Sequence, residues 1–234
     1  MASTSEATYG AKIANAAAIA THLKSFNGYI APTAETTIAN YEALITSIKV
    51  ENNNTSLKRS EYSMAVETRQ KHFVTHPSSI AKLISPISSA VKAKLGKTSK
   101  EVNDVAALIT KIRGERATKP KEGDTKEKIS QSERSYGSMT QNFADIVSTL
   151  AGLGANYAPV NELIKLPNLQ AKITEINQAN NLVTSTYGGL KVSADQRNTL
   201  YETLAERTQR IKESIKSQYG VSSTEYKLIK GLKV

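Results

Sequence analysis

The sequence predicts an all-α protein made of two tandem copies of a helical-hairpin unit that form a pseudo-symmetric helical bundle. Three observations predict it. Apolar residues recur at steps of three and four, the period of an amphipathic helix. No segment shows the sustained alternation of a half-buried strand. Residues of the first hundred positions also reappear in the last hundred at a nearly constant spacing, the mark of an internal repeat.

The repeat opens with Ser5-Glu6-Ala7-Thr8-Tyr9-Gly10, matched by Ser132-Glu133-Arg134-Ser135-Tyr136-Gly137 at an offset of 127. That offset carries Ala16, Ile19, Leu23 and Phe26 onto Phe143, Ile146, Leu150 and Leu153, and Ala31-Pro32 onto Ala158-Pro159. At 128, Asn40-Tyr41 meets Asn168-Leu169, Ile45 meets Ile173, Ile48 meets Ile176, Arg69 meets Arg197 and Phe73 meets Tyr201. Four extra residues around His76-Pro77-Ser78-Ser79 then reset the offset to 124, and Ile80, Ile87, Val91 and Leu95 face Leu204, Ile211, Ile215 and Tyr219. Both copies close in step, Gly96-Lys97-Thr98-Ser99 against Gly220-Val221-Ser222-Ser223.

Helices are expected near 9–27, 34–54, 60–75, 78–95 and 100–113, and again near 132–153, 161–186, 192–219 and 223–230. Asn27-Gly28 and Gly152-Leu153-Gly154 mark helix ends, and the Ala-Pro that follows each favours an extended link. Gly96 and Gly220 fit C-terminal caps, with Ser99 and Ser223 as the next N-caps. Pro77 breaks the first copy, because proline lacks an amide donor and clashes with the preceding turn. The second copy has no proline there, so its helix from about 193 to 219 runs straight. Residues 5–113 are the first repeat, 114–131 a charged linker too poor in apolar residues to order itself, and 132–234 the second repeat.

The composition excludes several classes of function. Cysteine is absent, so disulfides, thiolate metal sites and cysteine nucleophiles are excluded together. No run reaches the roughly 18 apolar residues of a membrane span. The opening residues lack the basic and apolar regions of a secretory signal, which predicts a cytoplasmic protein. Lys plus Arg is 31 against 21 Asp plus Glu, a net charge of +10. A chain this basic adheres to polyanions by counterion release unless its surface charge serves solubility alone.

Catalytic motifs are missing. His72 and His76 share a helix face at i, i+4 spacing but have neither the Glu of a zincin motif nor a third ligand nearby in the chain, so no metal and no cofactor is expected. Leu95-Gly96-Lys97-Thr98-Ser99 ends like a phosphate loop, yet position 91 is Val where that motif needs its first Gly. The charged residues that stand out are candidate anion-binding groups: Lys92, Lys94, Lys97 and Lys100 in the first copy, and Arg207, Arg210, Lys212 and Lys216 in the second. No acid interrupts the first group between Ile80 and Lys100, and Tyr219 and Tyr226 are interleaved with the cations of the second copy, as on a base-stacking surface. Cations at a helix C-terminus also complement the helix dipole without any ligand.

The closing segment, Tyr219-Gly220-Val221-Ser222-Ser223-Thr224-Glu225-Tyr226-Lys227-Leu228-Ile229-Lys230-Gly231-Leu232, resembles the C-terminal signature of a family of uncharacterised bacterial helical proteins. The resemblance covers about the last 40 residues. It implies a helical fold and a bacterial source, and it carries over no functional residue. Function is accordingly expected to be non-enzymatic, a structural or protein-interaction module whose partner is itself or another protein. The alternative is a basic helical protein that binds nucleic acid or another polyanion.

Overall fold

The computed structural model describes residues 8–114 and 134–234. Seven α-helices account for most of them: α1 (Tyr9–Ser25), α2 (Ile38–Gln70), α3 (Ile80–Leu95), α4 (Lys100–Arg113), α5 (Tyr136–Gly152), α6 (Leu166–Tyr219) and α7 (Thr224–Lys230). No strand occurs among the described residues, so the chain is all-α there. Of the expected linker 114–131, only Gly114 lies within them.

Local chemistry explains most helix ends. The hydroxyls of Thr8, Ser99, Ser135 and Ser223 accept amide protons from the first turns of α1, α4, α5 and α7. Gly96 and Gly220 follow α3 and α6 with φ of 80° and 93°, which L side chains rarely adopt. Pro167 sits in the first turn of α6, where its missing amide breaks no intrahelical bond.

Two expected breaks are absent. The helices expected at 34–54 and 60–75 are a single helix, α2, which starts at Ile38 and passes into a π-helical turn at Lys71–Thr75. Those expected at 161–186 and 192–219 are likewise one 54-residue helix, α6. Asn52-Asn53-Asn54 and Gly188-Gly189 interrupt the apolar stripe and lower local propensity by about 1 kcal/mol per glycine. Helical hydrogen bonding continues through them, since tertiary packing outweighs a propensity term of that size. The break expected at Pro77 is present. The π-helical turn ends there, Ser79 donates its hydroxyl proton to the Val74 carbonyl, and α3 starts at Ile80.

The helices gather into two compact units, which cut across the repeat boundaries. Unit 1 comprises the chain up to Ser60 together with Gly188–Val234, and unit 2 comprises Glu61–Tyr187. Its apolar core in unit 1 joins Ile19, Leu23, Tyr41, Ile45 and Ile48 to Leu204, Ile211, Ile215 and Ile229. In unit 2 the core joins Phe73, Ile80, Ile87, Val91 and Ile109 to Phe143, Ile146, Leu150, Leu169 and Ile176. Within each unit α2 and α6 run antiparallel. In unit 1 Tyr41 bonds Thr208 and Thr55 bonds Ser193, while in unit 2 the Tyr62 and Tyr187 rings meet at 5.6 Å and His72 lies 3.4 Å from Glu175.

The same local arrangements recur in both units. Tyr29 donates to the Thr36 carbonyl (3.1 Å) and Tyr157 to the Ile164 carbonyl (2.7 Å). Asn40 donates to the Ala34 carbonyl and Asn168 to that of Glu162. The guanidinium of Arg197 lies 4.4 Å from the Tyr9 ring and that of Arg69 lies 4.0 Å from the Tyr136 ring, both cation–π contacts. Among the described residues, even the buried side-chain atoms without a hydrogen-bond partner fall in matching pairs, Oδ1 of Asn52 and Asn180 and Nε of Arg69 and Arg197. Val91 and Ile215 are both buried, while Ile45 is buried and Ile173 is partly buried against the unit 2 core. One register needs correction. The bonded tyrosines lie 128 apart, so Ile30 corresponds to Ala158, one residue off the match of Ala31-Pro32 with Ala158-Pro159.

Candidate functional site

Each unit has a concave surface between a helix and the extended segment that leads into a 3-10 turn. In unit 2 the helix is α3, and small or rigid side chains line its face at helical spacing: Ser85, Ser89 and Ala93 in one row, Pro86, Ala90 and Lys94 in the next. The opposite wall is Tyr157–Asn161, with buried Ile164 also lining the space. Because the helix wall projects so little, a groove of about 760 Å³ remains. Pro86 has no amide proton, so the Lys82 carbonyl lacks its intrahelical donor.

The extended wall is held from behind. Burial pushes the Tyr157 hydroxyl up to about 12, which keeps it protonated and donating to the Ile164 carbonyl. Asn161 accepts the Leu163 amide proton and so opens the 3-10 turn Glu162–Ile164. Val160 crests the wall at 94% exposure, and behind it a second concavity of about 620 Å³ reaches Glu162, Lys165 and Leu166. Glu162 and Lys165 form an ion pair.

Unit 1 closes the equivalent surface down to about 410 Å³. Its helix wall, the end of α6, carries Arg210, Glu213, Ser214 and Gln218 where α3 has Pro86, Ser89, Ala90 and Lys94. The Gln218 amide accepts the Ile30 amide proton (3.0 Å) and donates to the Ile30 carbonyl (2.6 Å), clasping the extended segment at both backbone groups. Tyr219 adds a bond to the Asn27 carbonyl (2.8 Å), and Leu95 at its place in unit 2 has no polar atom to offer. Lys94 replaces Gln218, and neither backbone group of Ala158 has a hydrogen-bond partner among the described residues.

The cations predicted from sequence divide between the units. Lys92, Lys94, Lys97 and Lys100 are exposed at the end of α3 and the start of α4 in unit 2; Lys100 pairs with Asp104 at 2.6 Å, and Lys94 lines the groove. Arg207, Arg210, Lys212 and Lys216 belong to unit 1. Arg210 pairs with Glu206 at 2.7 Å and Lys216 with Glu213 at 3.6 Å. Lys212 bonds the Leu232 carbonyl, and burial lowers its pKa. Arg207 lies close enough to Glu35 to help lower that carboxyl, whose largest influence is the Thr33 hydrogen bond.

His72 and His76 both lie near Glu175 of α6. His72 meets Glu175, and its pKa is lowered by burial first and by Lys172 second. His76 Nδ1 bonds Ser78, and its backbone follows the π-helical turn, so the α-helical i, i+4 geometry is lost between the two. Among the described residues no group of three or more acidic or histidine side chains could hold a metal ion, and no helix is long and apolar enough to cross a membrane.

Sequence reasoning singled out Lys94 for its charge and missed the groove. The signal was present in the matched residues of the two halves, where Arg210, Glu213 and Gln218 stand against Pro86, Ser89 and Lys94 at a spacing of 124. No family model, curated protein or solved structure matches the chain.

Proposed function

We propose that the chain is a non-enzymatic, cytoplasmic protein-interaction module of bacterial source. It consists of two tandem copies of one helical unit, residues 5–113 and 132–234 joined by 114–131, with the groove of unit 2 as its docking surface. The observation that carries this reading is the unequal treatment of two equivalent surfaces. Unit 1 clasps its extended segment with Gln218, whereas unit 2 leaves its segment unclasped beside a groove walled by small side chains. Apolar concavities with a few polar groups are the usual form of a binding site.

The test is selection of a random dodecapeptide display library on the immobilised full-length chain, with light scattering of the free protein over a wide concentration range. Enrichment of a consensus that binds in solution, or a mass rising to twice 25.4 kDa, is the expected result. A mass near 25.4 kDa at every concentration together with no enriched peptide overturns the reading.

Polyanion binding is the second reading, favoured by Lys92, Lys94 and Lys97, which are exposed and form no ion pair among the described residues. A titration with mixed-sequence DNA and RNA at low salt tests it. Binding that weakens steeply with added salt supports the reading, and absence of binding at low ionic strength removes it.

A further inference from the structure

We propose that the unit 2 groove holds an extended segment of a partner polypeptide by its backbone, the N–H and C=O of one residue of that segment taking at Ala158 the place that the Gln218 amide takes at Ile30 in unit 1. The inference rests on the interaction-module reading above and adds the occupant and its mode of binding. The primary amide of Gln218 presents an acceptor and a donor on the same side, as the N–H and C=O of one extended residue do, and in unit 1 it satisfies both the N–H and the C=O of Ile30. Ala158 is that residue's counterpart, set by the same tyrosine-to-carbonyl bond spanning seven residues. A backbone donor and acceptor on one extended residue match a second extended chain, the pairing used in strand addition.

The side chains around Ala158 define the rest of the occupant. Pro86, Ala90 and Ile164 offer an apolar surface with room for a branched aliphatic side chain. Lys94 stands at the same wall, on a stretch from Ile80 to Lys100 that contains no acid, so a carboxylate next to the aliphatic residue completes the match. Glu162 across the wall is already ion-paired with Lys165. The partner is therefore an extended segment in which Asp or Glu neighbours Leu, Ile or Val.

The experiment uses the full-length chain and the dodecapeptides enriched on it, synthesised and measured by fluorescence anisotropy, with circular dichroism as a check that each variant folds. Enriched peptides should carry Asp or Glu within two residues of Leu, Ile or Val. Lys94→Gln gives unit 2 the clasping residue of unit 1 and should weaken binding about tenfold or more, as should Ala90→Trp, which fills the groove. Changing the peptide's acid to its amide should cost several-fold on the native chain and nothing on Lys94→Met. Replacing the central peptide bond by an ester should also weaken binding, because it removes the backbone donor. Gln218→Lys in unit 1 should leave affinity unchanged. Peptides that bind with equal affinity to Lys94→Gln and Ala90→Trp overturn the inference while the module reading stands. Enrichment of basic or wholly polar sequences overturns it as well, and absence of any enriched peptide overturns the inference whatever the protein's mass.

Discussion

Where α2 and α6 pair inside unit 1, several of the buried side chains are polar. Ser193 donates to the Glu51 carboxyl and bonds Thr55 at 2.8 Å, Asn54 donates to both Glu51 oxygens, and Tyr41 bonds Thr208. At the equivalent positions unit 2 buries Ala65, Ala179, Val183, Leu169 and Ile84. The exchange also runs the other way, since unit 2 holds Lys172 on Glu175 and Ser78 where unit 1 packs Leu44. Each polar set draws on both halves of the chain. Were the first half to pair with another copy of itself, Glu51 would meet Ala65 instead of Ser193, and Tyr41 would meet Ile84 instead of Thr208. A buried polar group left without its partner costs about 1–3 kcal/mol. The difference between the units thus favours pairing of unlike halves, the role that a buried polar residue plays in fixing register in coiled coils.

Substitutions that give one unit the residues of the other sharpen this comparison. The largest effect is expected from Phe143→Ala, which places in unit 2 the residue that unit 1 has at Ala16. The fully buried ring leaves a cavity, and denaturant unfolding should show a loss of about 3–5 kcal/mol. Next is Ser193→Ala, which strips Glu51 and Thr55 of their shared partner and should cost about 1–3 kcal/mol. The triple change Glu51→Ala, Thr55→Val and Ser193→Ala reproduces the unit 2 residues and should recover most of that loss. A triple variant less stable than Ser193→Ala alone would contradict the account.

Gln218→Lys should have a smaller effect, about 1 kcal/mol or less, because the two bonds it removes are exposed. Hydrogen exchange should show a faster Ile30 amide with Ala158 as the reference. The smallest effect is a pH slope. Burial and Lys172 lower the pKa of His72 below 6.5, while Glu175 pulls it up and His76 pushes it down. The unfolded chain then binds more protons than the folded one, so stability is complete above pH 6.5 and declines as pH falls through the folded value. His72→Leu, which supplies the counterpart of Leu200, should flatten stability between about pH 7 and pH 5. An unchanged slope would place its origin elsewhere.

Much of the helical content was legible in the residues. Stripes such as Ile38, Tyr41, Ile45 and Ile48 locate a buried face, and glycine and serine locate most ends. The continuity of α2 and α6 was not legible, because Asn52-Asn53-Asn54 reads as a helix end and Gly188-Gly189 as a linker, and only packing of the turns on either side carries the helices through. Lys94 was legible as a charge, but its position on a groove depends on Tyr157–Asn161, which lies some sixty residues away in sequence.

By itself the sequence determined the helical period, the caps, the break at Pro77 and the list of side chains that must leave water. Only the tertiary structure decided which elements meet. An apolar stripe requires burial yet is indifferent to what covers it, and similar stripes in the two halves of the chain can cover one another in more than one pairing. That choice was made by packing and by polar pairs such as Glu51 with Ser193, whose members lie on different halves of the chain and acquire meaning only when the fold brings them together.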